Sequence, residues 1–160
     1  LLISMLAVGG VFANKVQVTV EGTLNCSRSF YHHAILYDLD NYMHERVNEQ
    51  KAWVPSVIDH SHDLKLSGKM SDWLQDYVEP FIILWHTCWT GGGYSPRGPG
   101  SCQDQCLCKE FPQINKDLRY KLNVDLSNPA SYSTEFRRCN RECCTLSRNI
   151  NMDLWWPGDY

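Results

Sequence analysis

Nowhere does the 160-residue chain hold an apolar run near the ~18 residues that a membrane-spanning helix needs, its most apolar stretch being residues 1–13. Basic residues are neither abundant nor clustered. Lys and Arg number 15 against 18 Asp and Glu, a net charge of −3, which argues against nucleic acid or an anionic membrane surface as the main partner. There is no Gly-x-Ser-x-Gly elbow to present a nucleophile and no carboxylate pair at a recognisable spacing. The glycine-rich stretch 91–100 is not followed by the Gly-Lys-Ser/Thr that cradles a phosphate. Internal repeats and low-complexity tracts are absent as well. No catalytic residue, no metal-ligand set and no cofactor is therefore expected.

Cysteine is present, in an even number. Eight of them follow an apolar segment that ends Val11-Phe12-Ala13, the small-residue pattern of a secretory cleavage site. Residues 1–13 read as a signal peptide whose initiator Met and basic start are missing, hence N-terminally truncated, and residues 14–160 as the secreted chain. Outside the cell, disulfides are the default fate of Cys26, Cys88, Cys102, Cys106, Cys108, Cys139, Cys143 and Cys144. The spacings Cys102-x3-Cys106-x-Cys108 and Cys139-x3-Cys143-Cys144 lack the paired C-x2-C of a zinc cluster. The cysteines are also sparser than the ~8–10% of a scaffold held by bridges alone, so a hydrophobic core must carry the fold.

The apolar pattern is that of strands. Phe81 to Trp85 are five consecutive β-branched, aromatic or aliphatic residues behind Pro80, which reads as a central strand buried on both faces. Val16, Val18 and Val20 alternate with polar residues; Gly22 then suggests a bulge or a close backbone approach before Leu24 and Cys26. His33 to Tyr37 form a second strand, ended by the turn formers Asp38-Leu39-Asp40-Asn41. Residues 42–63 are aperiodic apart from Ala52-Trp53-Val54 and Val57-Ile58 around Pro55, and read as a loop or one short edge strand. Leu64 to Gly68 alternate again, and Met70, Trp73, Leu74 and Tyr77 have the spacing of one or two helical turns. Tyr120, Leu122, Val124 and Leu126 supply the last strand, closed by Asn128-Pro129. The fold class is an all-β sandwich, with residues 14–126 as the domain and 127–160 as a cysteine-containing C-terminal extension.

Five motifs occur in a telling order: Gly22-Thr23-Leu24-Asn25-Cys26, Ala34-Ile35-Leu36-Tyr37-Asp38, Asp63-Leu64-Lys65-Leu66-Ser67-Gly68, Pro80-Phe81-Ile82-Ile83-Leu84-Trp85-His86-Thr87-Cys88 and Tyr120-Lys121-Leu122-Asn123-Val124-Asp125-Leu126. Over residues 16–126 the chain resembles the nematode transthyretin-like proteins, small secreted relatives of transthyretin. The resemblance implies a transthyretin-like two-sheet β-sandwich, an extracellular location, no cofactor and a binding rather than catalytic role. Two departures stand out: Cys108-Lys109-Glu110-Phe111-Pro112 is short for the strand expected there, and the segment after about residue 130 has no counterpart. The hydroxyisourate hydrolases that share the fold end in Tyr-Arg-Gly-Ser, whereas this chain reads Trp156-Pro157-Gly158-Asp159-Tyr160.

The expectation is thus a secreted, non-enzymatic protein that binds an extracellular protein, a lipid or a small apolar ligand; a transthyretin-type hydrolase and a structural matrix component are the alternatives. Trp89, Trp155 and Trp156 are the candidate binding residues, as rigid aromatic anchors. Asn25-Cys26-Ser27 is a glycosylation sequon, in competition with a bridge at Cys26. Cys88 is expected to pair with Cys102, Cys106 or Cys108 across the Gly/Pro loop, and the tail cysteines among themselves or with that cluster. Among His32, His33, His44, His60, His62 and His86, the pair His60-Ser61-His62 reads as a solvated turn, and His86 as a ring satisfied by backbone.

Overall fold

The computed structural model describes residues 15–39, 44–55, 61–72, 75–89, 106–140 and 143. The signal segment, Cys102, Cys144, Trp155, Trp156 and His60 lie outside the described residues. Within them the chain forms eight strands in two sheets and one short helix.

The three-stranded sheet has the order β4-β1-β7, built from β1 (Val16–Asn25), β4 (Ser61–Met70) and β7 (Leu118–Asp125). Its strands keep the alternation seen in the sequence, because only one face is buried: Val16, Val18, Val20 and Leu24 point inward while Gln17, Thr19 and Glu21 lie toward solvent. β1 runs antiparallel to β4 and parallel to β7. Gly22 sits opposite Leu122 in the parallel pair, where a Cβ would collide with the Leu122 carbonyl oxygen. The glycine therefore marks a close backbone approach rather than a bulge; β1 is continuous through it.

The five-stranded sheet has the order β3-β2-β5-β6-β8, with β2 (Phe30–Leu39), β3 (His44–Val54), β5 (Pro80–His86), β6 (Cys106–Glu110) and β8 (Arg137–Arg138). Every residue of β5 is buried, and Pro80 begins it, as its missing N–H requires. β2 is longer than the sequence suggests. Asp38 does not turn the chain; it is a buried strand residue whose carboxylate accepts the Glu79 N–H at 3.0 Å. β3 replaces the expected loop or short strand with eleven residues. It is an edge strand burying Val54 alone, so no apolar period announced it. Val47 is the extra residue of a bulge opposite Leu36 and Tyr37, and it packs toward Gly68 of β4. The helix expected over 70–78 is not formed among the described residues: Met70 ends β4, and Val78 makes a lone bridge with Ile114.

Phe30, Ala34, Leu36, Ile82, Leu84 and Leu107 of this sheet meet Val18, Leu64, Leu66 and Leu122 of the other to form the inter-sheet core. A second cluster lies on the opposite, outer face of the five-stranded sheet. Ile35, Tyr37, Phe81, Ile83 and Trp85 are covered there together with Cys106, Cys108, Cys139 and Cys143.

The helix α1 (Pro129–Glu135) follows β7 at once. Asn128 caps it, accepting the Ala130 N–H at 3.0 Å, with Pro129 in the first turn where its missing donor costs nothing. Lys109 bonds Glu135 and lies over the rings of Phe111 and Tyr120, which ties α1 to the sandwich.

Candidate functional site

Disulfides set the frame. Cys26, just after β1, bridges Cys88, just after β5, so this bond joins the two sheets at one end of the sandwich. Pairing of Cys88 with Cys106 or Cys108 is excluded. Those residues face the outer side of the sheet, where Cys106 bridges Cys139 and Cys108 bridges Cys143, while Cys88 belongs to the inter-sheet core. Tail cysteines thus pair with the upstream cluster. The Sγ atoms of Cys108, Cys139 and Cys143 lie within 4.8 Å of one another, a thiolate-site spacing that here belongs to two adjacent S–S bonds.

Among the described residues nothing covers the outer face of the five-stranded sheet toward β3. Strand alternation puts Tyr31, His33, Ile35 and Tyr37 of β2 on this face, and Trp53, Lys51 and Glu49 of β3 beside them. Trp53 is 60% exposed, the one large apolar side chain so exposed among the described residues. Directly across the ladder is the half-buried Tyr31. Next along the face, buried His33 holds Nε2 2.7 Å from Glu49 Oε2, and Arg46 and Lys51 reach the same carboxylate at 3.3 and 3.6 Å.

The electrostatics of this group are set by burial. Desolvation pushes His33 below its ordinary value, outweighing its hydrogen bond to Glu49, which pulls it up. For Glu49, burial alone would raise the carboxyl, but the His33 hydrogen bond and the Lys51 and Arg46 charges hold it below the usual range. A neutral imidazole therefore donates to an ionised carboxylate at neutral pH. Burial lifts Tyr37 to about 12, so its hydroxyl stays protonated. The result is an aromatic pair, Trp53 and Tyr31, on rigid strands beside a pinned set of charges. Tryptophan, tyrosine and arginine are the side chains that dominate binding hot spots.

The inner face holds a second group. His32 and His86 are directly opposite on β2 and β5, and His62 of β4 brings its ring centroid to 4.7 Å from that of His32. His32 and His86 are buried, and His62 is half-buried inside a strand rather than on a solvated turn. His86 Nδ1 accepts the Cys88 N–H at 3.3 Å, the backbone contact expected, but its Nε2 and both nitrogens of His32 find no hydrogen-bond partner among the described residues.

Trp89, expected as an exposed anchor, is engaged inside the protein. Its Nε1 donates to the Leu126 carbonyl at 2.6 Å, its ring meets His86 edge-on at 4.4 Å, and the Arg138 guanidinium lies 4.7 Å from its centroid. Asn25 is half-buried at the end of the central strand β1, next to the bridged Cys26. The exposed aromatic that sequence reasoning passed over is Trp53. Its signal was present in Ala52-Trp53-Val54, but burial of Val54 and exposure of Trp53 follow only from the strand's position at an edge.

Comparison of the chain with protein-family models, with curated proteins and with solved structures finds no match in any of the three. Among the described residues no helix is long and apolar enough to cross a membrane.

Proposed function

We propose that this protein is a secreted, non-enzymatic binding protein of transthyretin-like type, and that it engages an extracellular protein through the open outer face centred on Trp53. The observation that carries the reading is a tryptophan 60% exposed on a strand, directly opposite a tyrosine, with nothing of the described chain over it. An exposed aromatic held by a sheet loses little freedom on binding, so more of its contact area is converted into affinity. Three observations support the wider frame. The five resemblance motifs lie on or at the ends of β1, β2, β4, β5 and β7 of a two-sheet sandwich. All six described cysteines are bridged, the state favoured outside the cell. The one imidazole–carboxylate pair, His33–Glu49, has no hydroxyl or thiol in hydrogen bond with the ring among the described residues, so it lacks a nucleophile to activate.

The test is binding of the oxidised protein to a panel of extracellular proteins and lipid vesicles, repeated with Trp53→Ala. A hot-spot aromatic should cost at least about 2 kcal/mol, roughly thirtyfold in Kd, while the melting temperature stays put because the side chain is exposed. Equal binding by Trp53→Ala removes Trp53 from the site. Turnover of 5-hydroxyisourate by the wild-type protein would select the hydrolase alternative instead.

A further inference from the structure

The three inward histidines occupy one end of the inter-sheet core, the end closed by the Cys26–Cys88 bridge. His62 and His86 are each held through a ring nitrogen that accepts, whereas His32 makes no hydrogen bond among the described residues. Gln50 accepts the Lys65 N–H through Oε1, so its amide nitrogen is the atom that faces Asp63 O and His62 Nε2. His62 Nε2 must therefore be a bare acceptor. His86 Nδ1 is likewise a bare acceptor for the Cys88 N–H. A proton added at either nitrogen would point N–H at N–H and break the contact.

We infer that this end of the sandwich is an acid-operated latch, closed while His32 and His86 are neutral and opened by their protonation. The groups facing the rings offer no compensation. His32 meets His62 from β4 and His86 from β5, lies opposite Ala52 of β3 and has His33 beside it on β2; the neutral Gln50 side chain of β3 bonds His62, and His86 meets His32, Trp89 and, from β8, Arg138. These neighbours are cations, potential cations or neutral groups, and among the described residues no carboxylate acts on either ring. Glu49, the nearest acidic residue on β3, is turned to the opposite face and held by His33. Burial, with the neighbouring His62 and His33, takes His32 down to about 3, and burial, with His32 and Arg138, does the same to His86.

The sign follows from which state binds the protons. An opened end exposes both rings, which then titrate near the ordinary ~6.5, while the closed end takes up protons only near 3. The closed state is therefore fully favoured above about pH 6.5, and the opening equilibrium rises about tenfold per pH unit for each ring as pH falls below it. Two rings acting together give roughly a hundredfold per unit. The Cys26–Cys88 bond keeps the sheets tethered at that end, so the opening is local.

Hydrogen exchange of the oxidised wild-type protein tests this. The Thr87 N–H, which donates to Tyr31 O at 3.0 Å, and the Tyr31 N–H, which donates to Thr87 Oγ1 at 2.9 Å, report the latch; Ile83 and Val18 report the centres of the two sheets. Protection at Thr87 and Tyr31, corrected for intrinsic rates, should fall at least a hundredfold between pH 6.5 and 5 while Ile83 and Val18 hold. The double variant His32→Phe/His86→Leu should keep protection flat over that range. Should the variant not fold, NMR titration of the wild-type His32 and His86 rings gives the same answer, with protonation accompanying the loss of protection. Constant protection at Thr87 and Tyr31, equal loss at all four amides, or both rings titrating near 6.5 with protection intact would each overturn the proposal.

Discussion

At the scale of single residues, position within a strand decides what each side chain does. His32 and His33 are neighbours in sequence, yet alternation sends one into the inter-sheet core and the other to the outer face, where it pairs with Glu49. Gly22 shows the same dependence on place. Its close approach to Leu122 belongs to the parallel pairing of β1 with β7, and nothing near it in sequence demands it. Gly22→Ala should therefore cost about 3 kcal/mol or more, at the high end for overpacking, since the atom in the way is backbone and cannot rotate aside. Urea unfolding of the pure variant checks this; a loss within 0.5 kcal/mol, the usual range for a surface change, would mean that the two strands can part at no cost.

Among the elements, β3 and the disulfide ends contribute most that is new. β3 carries His44, Glu45, Arg46, Glu49 and Lys51, and such charges blunt an edge that would otherwise invite another strand. Its Gln50 side chain also links the sheets, accepting from Lys65 N at 2.7 Å and donating to Asp63 O at 2.8 Å, so that an amide side chain takes the place of a ladder partner on β4. At the end of the core where the inward histidines meet, the Cys26–Cys88 bridge closes a separation of 62 residues. In the chain-entropy picture a loop of that length contributes about 4 kcal/mol. Replacing both cysteines by Ala should lower the unfolding free energy by roughly that amount while the other bridges remain intact. Denaturant titration provides the number, and non-reducing peptide mapping confirms the remaining pairs. Recovery of a Cys88 peptide linked to a partner other than Cys26 in the wild-type protein would refute the assignment.

Viewed whole, the described part of the molecule has one sheet buried on one face and another buried on both faces only along β5 and most of β2. The double burial of β2 and β5 comes from the segment that carries Cys139 and Cys143, bonded to Cys106 and Cys108 of β6 and continued by β8 along the sheet edge. Without these bonds Phe81, Ile83 and Trp85 would depend on noncovalent contacts alone for their cover. Replacing Cys106, Cys108, Cys139 and Cys143 together by Ala should raise binding of a hydrophobic dye and lower the melting temperature, with the strand content by circular dichroism retained. Unchanged dye binding would show that the segment stays docked without its bridges.

The sequence by itself determined the strand class, the central strand behind Pro80, and the inward faces of β1, β4 and β7, because burial of a single face writes a period of two into the residues. It also carried the bridged state of the cysteines through their even number and setting. Tertiary structure decided the rest. Length and exposure of β3 were hidden because an edge strand that buries one residue has no apolar period. Asn128-Pro129 read only as a strand stop, and the helix that it also caps, with the Ser131 and Tyr132 amides closing on the Asn128 carbonyl, was not announced. Cysteine pairing and the meeting of His32, His62 and His86 depend on which strands lie side by side and which face each other across the core. Those are long-range relations between residues tens of positions apart, fixed by the packing of two sheets, and local spacing carries no record of them.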